Sequence, residues 1–529
     1  VLQQIWNLYH TSRKPVLLHG ITGSGKTYVY IELVKKIISI DKNVIILVPE
    51  ISLTPQTIKR FKSSINCSIA VIHSRMSDGE RRDTIEDIMS RKIRIVIGVR
   101  SAVLAPLDNI GLIIVDEEHD GSYKQSDPEP RYNSRDVAVM RGKFQNALVL
   151  LGSATPSFES YYNALNNKYI LIKLTQRHGK ATLPRVHIVD MTQEYKHNNY
   201  TFISRHLKHK IHETLANKKQ IILFINRRGF SVCLICRDCG FMYECINCSV
   251  KLIYHKSSYT LKCHQCGYSS PVPEKCISCG GEQIQYKGTG IQKVEEYLKV
   301  LFKEVRIIRV DQDSMRKKGS HILIYEAFLN GKADILLGTQ MISKGLNFPD
   351  VRLVGVLQAD IGLHFPDFRA SEKTFQLLTQ VAGRAGRKDD LGEVIIQTYS
   401  PCEPGVQYAK THDFISFYEE ETKSRYQLGY PPFSRLTRII IQGEQEIEVS
   451  SYINGIAQFL IKKYGHMFTF LGPSTAVITK VKNLYRYSLL IKSKYSKQLE
   501  YALATMKKKY KKPGSKMKLI IDVDPYNML

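Results

Sequence analysis

Short, unbroken apolar runs recur along the chain, each separated from the next by residues at helical spacing. Residues 16–19 (VLLH) read as a buried strand, followed by a glycine loop and a helical pattern over 27–40. Further runs at 44–48 (VIILV), 93–97, 112–115 and 148–151 continue the series. Apolar runs of this length, separated by helices, predict parallel strands covered on both faces. They define one α/β lobe over residues 1–175. A second series, at 221–225, 305–310, 335–337, 353–357 and 393–397, predicts another lobe from 176–228 and 286–400. A cysteine-rich insertion, 229–285, interrupts it after its first strand. The last unit, 405–529, has alternating strands such as 519–523 and one long amphipathic helix near 446–464. The expected fold class is α/β: two parallel-sheet lobes, an inserted metal module and a C-terminal α+β domain.

Length supports this division, because 529 residues exceed what one hydrophobic core organises. Eighteen consecutive apolar residues occur nowhere, so no membrane span is expected, and no secretion signal is recognisable. The first residue is Val, so the chain is expected to be a piece of a longer protein. A net charge of +27, from 76 Lys and Arg against 49 Asp and Glu, predicts a polyanionic partner. The sign alone does not separate DNA, RNA and anionic lipid.

Residues 20–27 (GITGSGKT) fit G-x-x-x-x-G-K-[ST] between a strand and a helix. Gly20, Gly23 and Gly25 let the backbone close around phosphates, and the helix N-terminus directs positive charge at them. Lys26 is expected to reach the β- and γ-phosphates of ATP, and Thr27 to hold Mg²⁺. After the run LIIV stand Asp116, Glu117, Glu118 and His119. A carboxylate at a strand end suits Mg²⁺ coordination through water, and its neighbour can polarise an attacking water. Residues 380–387 (QVAGRAGR) place two arginines three apart, suited to charge developing on a γ-phosphate or to a nucleic-acid backbone. The glycines at 383 and 386 argue for close backbone approach.

Nine of the eleven cysteines lie between 233 and 279, while Cys67 and Cys402 stand alone. Without a secretion signal this clustering predicts metal binding rather than disulfides. Cys236/Cys239, Cys245/Cys248, Cys263/Cys266 and Cys276/Cys279 form four C-x-x-C pairs, enough for two tetrahedral Zn²⁺ ions per chain. Gly240, Gly267 and Gly280 follow three of the pairs, where the turn favours glycine. Cys233 with Cys236 also fits the spacing.

The strings GITGSGKT, DEEH, GSATPS (152–157) and QVAGRAGR stand in the order found in superfamily 2 helicases. Between them lie LVPEISLTPQ (47–56), IGVRSAVLAPL (97–107), ILFINRRGF (222–230) and LLGTQMISKGLNFPDVRLVGVLQAD (336–360). With the cysteine module straight after NRRGF, the chain resembles the PriA family of primosomal replication-restart helicases along essentially its whole length. The resemblance implies an ATPase cleft between two RecA-like lobes, with Arg387 and Arg384 completing it from the far lobe and Gln380 near the γ-phosphate. It makes 122–136 an aromatic-rich loop that reports DNA binding, where Tyr123 and Tyr132 could stack on bases and Lys124 and Arg131 meet phosphates. It also implies interleaved zinc sites, Cys236, Cys239, Cys276 and Cys279 on one ion and the middle four on the other, leaving Cys233 spare.

Fifteen Lys or Arg and one acid, Glu500, fall between 462 and 518, interleaved with Tyr485, Tyr487, Tyr495 and Tyr510. Cations with aromatic platforms suit single-strand binding. The stretches 429–436 (GYPPFSRL) and 521–529 (IDVDPYNML) resemble the family's C-terminal domain. Family members carry a pocket for DNA 3′ ends and a winged helix ahead of the phosphate loop. Here Gly20 is already in that loop, so those domains are expected to be absent from this chain. Gln3 or Gln4 is the candidate adenine contact. The resemblance implies a monomeric, cytoplasmic, ATP-dependent 3′-to-5′ DNA helicase at bacterial forks. It would act on single-stranded and forked DNA, with primosome proteins and single-stranded-DNA-binding protein as partners, in reloading the replicative helicase. A translocase that does not separate strands, or an assembly scaffold, is the alternative.

Overall fold

The computed structural model of the chain describes residues 1–49, 55–74, 76–176, 183–225, 233–236, 243, 246, 252–255, 259–262, 268–282, 284–287, 291–311, 314, 320–339, 342, 348–359, 363, 367–386, 392–510 and 516–528. They group into two units: residues 1–226, 302–363 and 371–419 in one, and residues 227–301, 364–370 and 420–529 in the other.

Two parallel sheets build the first unit. One runs Ile69–Ile72, Ile95–Gly98, Asn43–Leu47, Ile110–Asp116, Leu148–Ser153, Val16–Gly20, Ile170–Leu174 in hydrogen-bonded order. Its strands alternate between two cores, Leu17, Ile45, Val96 and Ile113 in one and Leu18, Ile46, Ile97 and Ile114 in the other. That period of two with both faces covered is why the sequence shows unbroken apolar runs. The second sheet runs Ile307–Val310, Ile335–Gly338, Gln220–Phe224, Val351–Val356, Glu393–Thr398, Arg185–Asp190.

The first of those cores continues into the second sheet through Ile222, Phe224, Val354 and Ile396. Phe158 and Tyr161, on helix Phe158–Leu165, interleave there with Phe414 and Tyr418 at ring separations of 4.8–6.2 Å. Offset and edge-to-face rings of this kind fix the two sheets relative to each other beyond simple area burial. Helix Pro404–Thr411 joins the same core by Val406 and Ala409, whereas the sequence pattern placed it with the C-terminal unit from residue 405. Its apolar face is covered by the second lobe, so the boundary falls later than the Pro401 and Pro404 punctuation suggests.

The second unit is antiparallel. A five-stranded sheet orders Ser269–Pro271, Thr260–Lys262, Ile253–His255, Cys233–Cys236 and Ile284–Lys287. A four-stranded sheet orders Thr469–Val481, Leu484–Ser493, Arg435–Gly443 and Met517–Val523, with helices Glu446–Tyr464 and Ser496–Lys509 on one face. The chain order strand–helix–strand–strand–helix–strand is a split β-α-β arrangement. The long amphipathic helix buries Val449, Ile453, Ile456, Leu460 and Tyr464, the stripe its sequence predicts. Among the described residues no helix is long and apolar enough to cross a membrane.

Candidate nucleotide site

The strand Val16–Gly20 ends at a loop whose next element is helix Lys26–Ser39. Gly23 and Gly25 hold φ of 82° and 84°, a region that residues with a Cβ rarely enter. A Cβ on Gly20 would lie 2.6 Å from Ser24 Oγ and 3.1 Å from side-chain atoms of Leu174 and Lys26, so the loop packs closely over that position. Lys26 Nζ donates to the Gly20 carbonyl at 2.8 Å, so its ammonium lies across the mouth of the loop. Gly25 caps the helix without a side-chain acceptor, and no acid stands in the first turn. The helix N-terminus therefore keeps its positive end directed into the loop.

Asp116 ends the strand Ile110–Asp116, two strands away in the same sheet, and Glu117 turns the chain at φ 48°. Burial and the neighbouring Glu117 charge push the Asp116 carboxyl up to about 6, with Lys26 and the Tyr30 hydroxyl opposing. Tyr30 donates to Asp116 Oδ1 at 3.0 Å, and Tyr123 donates to its main-chain oxygen at 2.6 Å. Glu118 is spent on structure. Its fully buried carboxylate accepts from Ser157 N, Ser157 Oγ, Ser160 Oγ and Arg135 Nη1 at 2.7–3.3 Å.

His119 joins three motifs. Its Nδ1 lies 2.7 Å from Ser153 Oγ in GSATPS, and its Nε2 lies 2.7 Å from Gln380 Nε2 on helix Ala370–Ala382. With the Gln380 amide donating, the ring accepts at Nε2 and donates from Nδ1. The far lobe also reaches the phosphate loop directly, since a Cβ on Gly383 would fall 2.4 Å from Thr22 Cγ2. Partial burial pulls the Arg384 guanidinium down to about 10, and Glu117 is the charge holding it up. Arg387 lies outside the described residues.

A triphosphate with a divalent cation fits the polar atoms left over. Ser24 Oγ, Glu117 Oε2, Thr155 Oγ1 and Thr379 Oγ1 are buried without a hydrogen-bond partner among the described residues. Buried polar groups in native proteins are nearly always satisfied, so these atoms have free capacity to bond a polar ligand. Thr155 and Thr379 line a pocket with Ile21 and Thr22 of the loop.

Two expectations change. Tyr123 is 1% exposed and Lys124 6%, so neither presents itself to a base or a phosphate. Arg131 is taken up by the Ser126 carbonyl, Glu129 and Asp127, and Tyr132 packs on the core. The loop is held inward because its polar groups satisfy one another. In the C-terminal unit Tyr510 donates to the Gly455 carbonyl and Tyr487 to Glu446, while Tyr495 is half exposed. Tyr30, Arg135 and the bonding of Glu118 carry no signature in the sequence, since their roles depend on residues 17 to 86 positions away.

Cys276 and Cys279 form a tight turn in which Ser278 N donates to Cys276 Sγ and Gly281 N to Cys279 Sγ, each at 3.4 Å. Gly280 supplies the left-handed residue, φ 73°. Amides aimed at sulfur stabilise thiolates, so this pair fits a Zn²⁺ ion. Cys236 ends a strand, and its side chain, with Cys239, Cys245, Cys248, Cys263 and Cys266, lies outside what is described.

Family models match in series: type III restriction enzyme, res subunit (1–158), and helicase conserved C-terminal domain (280–389). The PriA DNA helicase Cys-rich region matches 245–271, and the primosomal protein N C-terminal domain matches 426–526. The replication restart protein PriA of Rickettsia felis is 38% identical over 99% of this chain and 80% of its own length. The chain belongs to the PriA family. Other PriA relatives include those of Bacillus subtilis (45% identical, 98% of this chain, 64% of that one) and Chlamydia muridarum (43%, 98% and 69%). This chain thus spans about two thirds of their length. Among solved structures, RecG bound to a three-way DNA junction is similar at 16% identity and a TM-score of 0.47, over 80% of this chain and 46% of that one. As a PriA-family chain it carries helicase lobes, which use ATP and Mg²⁺, and a zinc region.

Proposed function

We propose that this chain is the motor of a replication-restart DNA helicase, hydrolysing ATP in a DNA-stimulated way and moving 3′ to 5′ to open duplex at abandoned forks. The observation that carries the reading is the meeting of far-lobe residues with the phosphate loop: Gly383 against Thr22, and Gln380 against His119 of DEEH. A site assembled from both lobes links nucleotide state to lobe spacing, which is what a translocating motor requires.

In this reading Gly20, Gly23, Gly25, Lys26 and Thr27 bind the phosphates, with Lys26 leaving the Gly20 carbonyl for the β- and γ-oxygens. Thr27 and Asp116 would hold Mg²⁺, which would supply charge neutralisation at the phosphates. Glu117, with one oxygen unsatisfied, orients the attacking water and takes its proton. Gln380 senses the γ-phosphate through His119, while Arg384 and Arg387 stabilise charge developing there. Four C-x-x-C pairs, Cys236/Cys239, Cys245/Cys248, Cys263/Cys266 and Cys276/Cys279, hold two zinc ions. The working partners are single-stranded and forked DNA, with primosome proteins and single-stranded-DNA-binding protein, in the bacterial cytoplasm.

Strand separation on forked duplexes with a 3′ or a 5′ tail tests this. The 3′-tailed substrate should open in the presence of ATP, and Lys26→Ala should abolish turnover while retaining DNA affinity. ATP turnover without separation of either substrate would make the chain a translocase. Turnover surviving in Lys26→Ala would remove the phosphate-loop assignment.

A further inference from the structure

Asp116 is gripped at both ends by two buried phenols. Tyr30 lies one turn into the phosphate-loop helix, 1% exposed, and donates to the carboxylate at 3.0 Å. Tyr123 follows the DEEH turn, is equally buried, and donates to the Asp116 carbonyl at 2.6 Å. Burial, followed by the Asp116 charge, pushes both phenols well above their usual range, so both remain protonated donors. The adjoining strand makes room for the Tyr30 contact by an omission. Gly152, which pairs with Asp116, would with a Cβ come 1.7 Å from the Tyr30 hydroxyl.

We propose that Tyr30 and Tyr123 are positioning residues that fix the side chain and main chain of Asp116 in the orientation needed to hold the divalent cation, with Gly152 kept bare to admit Tyr30. The proposal rests on the reading of Asp116 as the Mg²⁺-holding carboxylate. A carboxylate at a strand end has a free χ torsion, and one fixed donor on Oδ1 leaves the other oxygen pointing in a single direction. Holding such a group in its productive rotamer is what a supporting hydrogen bond does for a metal ligand.

The test is Tyr30→Phe in the full chain, which removes one hydroxyl and keeps the ring. Mn²⁺ binding to the ADP-loaded protein, read by electron paramagnetic resonance, should weaken about tenfold, the loss expected for a hydrogen bond to a charged group. The Mg²⁺ concentration for half-maximal ATP turnover should rise in parallel, with turnover recovering at saturating Mg²⁺. Gly152→Ala should reproduce the shift by displacing Tyr30, and Tyr123→Phe should shift it less, since a carbonyl is a neutral acceptor. A general packing defect would instead lower the melting temperature and leave the Mn²⁺ isotherm unmoved, and that result overturns the proposal. Asp116→Ala separates the two layers: if it keeps Mg²⁺-dependent turnover, the reading of the site fails. If it is inactive while Tyr30→Phe binds Mn²⁺ normally, only the positioning role fails.

Discussion

His19 shows how far a single position can depend on its surroundings. The sequence offers it as the polar end of an apolar run, VLLH. In the structure the ring packs edge-on against Phe414 and Tyr161, and burial, then the Lys26 charge, lowers it to about 4 from 6.5. Between those two values the unfolded chain takes up a proton that the folded chain refuses, so stability rises with pH across the window. The effect is worth at most about 3 kcal/mol. His19→Asn should therefore lose less melting temperature than the parent on going from pH 7 to pH 4.5. Equal losses would mean that His19 titrates freely. Lys26, Asp116 and Glu117 stand out in the sequence because the spacing of their motifs is local. The roles of Tyr30, Glu118 and Arg135 do not, because each acts on a partner brought from another strand or helix.

At the scale of elements, legibility followed the position of a strand in its sheet. Every interior strand of the two parallel sheets corresponds to an unbroken apolar run. Two strands whose apolar runs are broken, Ile170–Leu174 and Arg185–Asp190, lie at sheet edges, while Ile69–Ile72, also at an edge, is wholly apolar but only four residues long. An edge strand is half solvated, so its run is broken by residues such as Lys173 and His187. The Cys276/Cys279 turn is legible for the opposite reason, since its spacing is local. The four C-x-x-C pairs predict that metal analysis of protein purified without chelator finds two zinc ions per chain. Cys279→Ser should release one of them and leave ATP turnover largely in place, because the phosphate loop uses no sulfur. One ion in the parent would reduce the four pairs to a single site.

For the whole molecule, the +27 charge argues for a polyanion, and the basic stretch from 462 to 518 is the natural contact. Affinity for single strands should fall with salt at a slope of about −0.7 per phosphate contact. Removing residues 426–529 should flatten that slope. A cut at 405 is the wrong experiment, because Val406, Ala409 and Phe417 belong to the core of the helicase lobes. An unchanged slope after the later cut would place the nucleic-acid track elsewhere. The tyrosines interleaved with those lysines are less available than their spacing suggests, since Tyr487 and Tyr510 are tied to Glu446 and Gly455.

The sequence by itself determined what repeats at short range: the apolar runs of interior strands, the amphipathic stripe at 446–464, the glycine loop with Lys26, and the cysteine pairs. These depend on backbone geometry and ligand spacing within a few residues, so one dimension suffices to write them. Only the tertiary structure decided which groups meet. It brought Gln380 to His119, Gly383 to Thr22 and Tyr30 to Asp116, and it turned Tyr123 from a surface platform into a buried brace. Those contacts join residues up to 361 positions apart, and packing selects them by closing two sheets around one core, which no local pattern encodes.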